Sequence, residues 1–106
     1  NPTLFPTRLW CVGTEPFWSM QFDSGTMTYR SPDAAAVADP VDWTGQSSNV
    51  GSNAYGFSTL RTSGSVTRRQ CSDGMSDRLF GFHIHAVRHS GASVGLLSGC
   101  CTMQAP

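Results

Sequence analysis

At 106 residues the chain is long enough for one domain with a small core. Seven arginines balance seven acidic residues, lysine is absent and the formal net charge is zero. This removes the usual electrostatic case for nucleic acid or an anionic membrane as a partner. Charged residues make up 13% of the chain, about half the ~25% of an average soluble domain. Ser, Thr and Gly take their place, as in an extracytoplasmic β protein or a subunit whose surface is covered.

Four cysteines without a CxxC pair argue against a zinc ribbon and for two disulfides formed in an oxidising compartment. No signal peptide and no apolar run of about 18 residues is present, so no membrane span is expected. A start at Asn1 rather than Met points to a mature or trimmed chain, with an upstream lipid anchor or membrane segment left open.

In chain order, residues 1–7 read as an extended arm. Pro2 and Pro6 oppose helix and bias the residues before them toward extended geometry. Leu4 and Phe5 give the arm an apolar edge, which either folds over its own domain or docks on another chain. Residues 8–12 are a first strand. Gly13, Glu15 and Pro16 then mark a corner, after which Trp18, Met20 and Phe22 alternate with Ser19, Gln21 and Asp23. That period-two pattern is a half-buried strand with Trp18 in the core. Asp23, Ser24 and Gly25 make a tight hairpin into a return strand over 26–30, with Met27 and Tyr29 on one face.

Residues 31–53 look least regular and are expected to form a long loop. Pro32 and Pro40 bracket AAAVA, a possible single helical turn, Trp43 is a loop anchor, and the run 44–53 is polar and Gly/Ser-rich. Strands resume at 54–62, and Gly64 is expected to turn the chain into 65–71. Residues 72–78 read as an ordered turn capped by Ser72 or Asp73. Over 79–89, Phe80, Phe82, Ile84 and Ala86 face one way while His83, His85, Val87 and His89 face the other. Ser90 and Gly91 turn into a last strand at 92–99, with 102–106 as a tail.

About seven to eight short strands with little helix indicate an all-β fold, a small antiparallel β-barrel over residues 8–101 stapled by two disulfides. Closure also removes exposed edges. Adjacent strand residues point to opposite faces, and a vicinal ring between Cys100 and Cys101 is strained. Cys11 and Cys71 are therefore each expected to pair with one of Cys100 and Cys101, in either arrangement.

The segments CVGTEPFW, GTMTYRSPD, CSDGMSDR and SGCC, taken together, resemble a family of small uncharacterised bacterial exported proteins, often described as predicted membrane proteins or lipoproteins. The resemblance covers residues 11–33 and 71–101 and leaves 34–53 unmatched. It implies export, a β-rich domain and cysteine pairing, with no established activity. A looser similarity in size and cysteine use to periplasmic c-type lysozyme inhibitors lacks their inhibitory loop motif.

The chemistry-bearing residues are few. His83 and His85 share a strand face, His89 shares their parity, and two or three imidazoles on one face can bind Cu or Zn. Without a placed further ligand, the row reads instead as a polar or partner-facing surface. Glu15 is a carboxylate beside buried aromatics, an acid if its pKa is raised, but better read as an acceptor that fixes the corner. Asp73 and Asp77 lack the ligand ladder of a calcium loop and read as capping residues or partners of Arg78. The scattered methionines read as core filling. No Ser/His/Asp signature, phosphate loop or dinucleotide motif is present, so neither an enzyme nor a cofactor is expected. The leading expectation is a non-catalytic extracytoplasmic binding or accessory domain, a periplasmic or extracellular subunit on a membrane or envelope protein complex. Its contacts would be Leu4, Phe5, His83, His85 and His89. The alternatives are a metal- or small-ligand-binding barrel and a periplasmic inhibitor of a secreted hydrolase such as lysozyme.

Overall fold

The computed structural model describes residues 5–14, 17–47, 53–72, 74 and 79–103. They form eight strands: β1 (Arg8–Gly13), β2 (Trp18–Asp23), β3 (Thr26–Ser31), β4 (Ala34–Gln46), β5 (Ala54–Thr59), β6 (Thr62–Ser72), β7 (Leu79–Ser90) and β8 (Ser93–Thr102). Each pairs antiparallel with the next, and β8 closes on β1 through Trp10↔Thr102, Cys11↔Cys101 and Val12↔Cys100. The fold is a closed eight-stranded meander. Among the described residues no helix is long and apolar enough to cross a membrane.

The inward rows follow from period-two alternation. Leu9 and Cys11 of β1, Trp18, Met20 and Phe22 of β2, Met27 of β3, Tyr55 and Phe57 of β5, Val66 of β6 and Phe82, Ile84 and Ala86 of β7 make one core. Ser24 and Gly25 turn β2 into β3 with φ of 52° and 88°. This pair of positive φ values is what a two-residue hairpin loop needs to match strand twist, and Gly accepts it without cost.

Four expectations are corrected. Residues 34–46, expected as loop, are the long strand β4. Its first half pairs with β3 as far as Pro40, and its second half pairs with β5 from Val41 onward. Pro40 stands at that changeover, where a residue without an N–H interrupts neither ladder. Pairing with β3 overrides the weak strand propensity of AAAVA. Trp43 is an exposed strand residue whose indole lies over Gly45 and Gly56, rather than a loop anchor. Gly64 is inside β6, and the β5–β6 turn falls at Leu60 and Arg61. β8 runs on through Thr102.

For Phe5, contact with its own domain is what the structure shows. Its ring packs 5.1 Å from Phe22 and 5.8 Å from Phe57, centroid to centroid, so it covers one end of its own barrel core. Leu4, Glu15, Pro16, Asp73, Asp77 and Arg78 lie outside the described residues, as do 48–52 of the expected loop.

Both expected disulfides form, as Cys11–Cys101 and Cys71–Cys100. Cys101 points into the barrel beside Cys11, while Cys100, on the opposite face of β8, bonds Cys71 of β6. The two disulfides are compatible with an oxidising environment.

Candidate functional site

The outer surface of β7 and β8 is the first place to look. Cross-strand partners there are His83↔Cys100, His85↔Ser98, Val87↔Leu96 and His89↔Val94. These residues alternate with the buried inward row, so their outward position is imposed by the pleat. Leu96 is 75% and Val94 62% exposed, and Val87 beside them is also exposed. His85 and His89 are exposed and His83 is half-buried. The result is a short apolar ladder flanked by imidazoles, hydroxyls and glycine. The sequence places Val94 and Leu96 on one face of the last strand, and only the register with β7 shows that this face is the outer one.

Along the histidine row, the His83 and His85 rings meet edge to face with centroids 4.5 Å apart. Nδ1 of His83 lies 3.3 Å from a guanidinium nitrogen of Arg69. Partial burial, then the neighbouring His85 and Arg69, hold the His83 pKa below its ordinary value. Among the described residues no group of three or more His, Cys, Asp or Glu is placed to hold a metal ion.

The barrel interior holds a second cluster. Asp39 of β4, Thr59 of β5, Thr62 of β6 and Arg88 of β7 are buried polar residues. Arg88 is the next inward residue after Ala86 and donates to Oγ1 of Thr62 at 2.7 Å. Its guanidinium lies 3.7 Å from the ring centroid of Tyr29 on β3, a cation–π contact. Arg61 of the β5–β6 turn reaches in to pair with Oδ1 of Asp39, while Oδ2 of Asp39 has no hydrogen-bond partner among the described residues. Thr59 Oγ1 accepts from the backbone N–H of Thr62 at 3.0 Å and closes the turn. Arg88 was legible in outline, since its parity continues the row Phe80, Phe82, Ile84, Ala86. A charge at the end of an apolar row invites the reading that the strand has left the core. Asp39 was hidden by the loop assignment of 31–53.

At the corner, a Cβ on Gly13 would lie 2.0 Å from Nε1 of Trp18. The glycine there makes room for the indole, which lies in the core with Tyr29 stacked 6.5 Å away, centroid to centroid. Comparison of the chain with protein-family models, with curated proteins and with solved structures returns no match.

Proposed function

We propose that the chain is a non-catalytic extracytoplasmic domain that docks onto a protein of the bacterial envelope through the outer face of β7 and β8. The observation that carries this reading is the exposed ladder of Val87, Val94 and Leu96 on a chain with so few charges. A sheet face normally exposed to water is polar; contiguous exposed apolar residues with a polar surround mark contact surfaces. His85 and His89 border the ladder and supply the polar rim. The two disulfides and the resemblance to exported bacterial proteins support a periplasmic or extracellular setting.

The test is a photo-crosslinking residue at position 96 of the chain, expressed in the envelope of a bacterium that makes the protein. A single discrete adduct is expected, and the Val87→Ser/Leu96→Ser variant of the chain should fail to compete for that partner while melting within a few degrees of the parent. A diffuse adduct pattern, or competition equal to the parent, rejects this surface.

A further inference from the structure

A cup of about 300 Å³ opens between the ends of β3, β4, β7 and β8. Its walls include Ala35 and Val37 of β4 and Leu97 of β8, and the hydroxyl-bearing Ser90 and Ser93 stand at the β7–β8 turn. Arg88 is the one buried residue of that lining, only 7% exposed, with Tyr29 beside it. The cup therefore has small apolar walls and a guanidinium at its deepest point.

The charge there is only partly compensated. Among the described residues this end of the barrel brings together the buried guanidinium of Arg88, the half-exposed guanidinium of Arg61 and one buried carboxylate, Asp39. Asp39 is already engaged by Arg61. Arg88 donates to the Thr62 hydroxyl and stacks on Tyr29, neither of which is an anion. A guanidinium has five N–H donors, more than one hydroxyl satisfies. Burial pushes the Arg88 pKa down, while Tyr29 and Asp39 pull it back and Arg61 opposes them. A buried cation without its own counter-ion is costly, and an anion entering the cup would relieve that cost.

We infer that this cup binds the carboxylate of a small aliphatic acid, either free or as the C-terminus of a peptide, with Arg88 as its charged partner. One excess positive charge matches a monoanion, and a guanidinium fork matches carboxylate geometry. Walls of Ala, Val and Leu suit a short hydrocarbon tail, and the volume sits at the small end of ligand pockets. The inference does not depend on the docking face, although Val94 borders both.

The test is a ¹⁵N NMR titration of the intact, oxidised protein with hexanoate and, separately, with hexanamide, which has the same shape and no charge. The peptide arm uses acetyl-alanyl-alanine as its free acid and as its C-terminal amide. Saturable shifts confined to residues 34–37 and 88–97 are expected with an acid, at least tenfold tighter than with its amide. The tighter of the two acids identifies the source of the carboxylate. Arg88→Gln should lose this discrimination. Because that variant removes buried contacts, Ala35→Trp serves beside it: it fills the cup, leaves Arg88 in place and should abolish binding with little change in melting temperature. Equal binding of acid and amide, no saturable shift with either acid, or parental affinity in Ala35→Trp overturns the inference.

Discussion

Cys11 and Cys101 face each other across the seam where β8 closes on β1, with their Cα atoms 4.0 Å apart and a sequence separation of 90. The bond therefore lies on the only pairing of the meander that joins the two ends of the sequence. The second bond, Cys71–Cys100, spans 29 residues and ties β6 to β8. If unfolded-state entropy dominates, the longer loop stabilises more, by about 1 kcal/mol for this ratio of loop lengths. Cys11→Ala/Cys101→Ala should therefore cost more than Cys71→Ala/Cys100→Ala in urea unfolding, each falling within about 2–5 kcal/mol. The reverse order would locate the main stabilisation in native contacts of the β6–β8 staple.

Gly13 and Trp18 offer a paired test of the corner. Trp18→Ala removes a buried indole and should cost about 3–5 kcal/mol. Gly13→Ala places a methyl group against Nε1 of that indole and should cost about 1–3 kcal/mol by overpacking. In the Trp18→Ala background the Gly13→Ala penalty should largely disappear, because the clashing ring is gone. Additive losses would mean that the glycine serves some other purpose.

The Asp39–Arg61 pair is half in water. The Asp39 side chain is 7% exposed and that of Arg61 43%, so solvent screens one partner. Arg61→Ala leaves a buried carboxylate without its donor and should cost about 1.5–3 kcal/mol. Asp39→Ala removes the one carboxylate, among the described residues, at an end of the barrel that holds both Arg61 and the buried Arg88, and should cost more. Denaturant midpoints of the two variants check the order.

His83 gives a pH dependence with a definite sign. Its folded-state pKa lies below the ordinary value of 6.5. The unfolded chain therefore takes up this proton first as pH falls. Stability from this group is fully present above pH ~6.5 and is lost as pH drops from there through the folded pKa. In melts from pH 8 to pH 5, His83→Gln should show a shallower fall in melting temperature than the parent. An identical slope would place the His83 ring in open solvent, away from Arg69.

Much of the architecture could be read from local patterns. The alternation in 18–22 and 80–86 is a property of the pleated backbone, so it announced two core strands and their inward faces without any knowledge of partners. The same parity placed His83, His85 and His89 outside. The antipodal directions of Cys100 and Cys101 on one strand excluded a vicinal bond and left two pairings. Register between β1 and β8 chose between them by setting Cys11 opposite Cys101.

What lies in the pairing was not legible. AAAVA and Pro40 carry no strong strand preference, and β4 exists because β3 and β5 each offer it a ladder. Phe5 sits in an arm whose apolar edge pointed to self or to a partner, and only the fold shows its ring against Phe22 and Phe57. Arg88 and Asp39 broke the apolar rule for core positions. They are tolerated because barrel closure brings a guanidinium over Tyr29 and a second arginine to the carboxylate. Periodicity, turn chemistry and cysteine parity belong to the chain itself, since they depend on neighbours one to four residues away. Strand partners, the choice of disulfide and the company of a buried charge depend on which distant residues closure brings within a few ångströms, and only the folded barrel sets that.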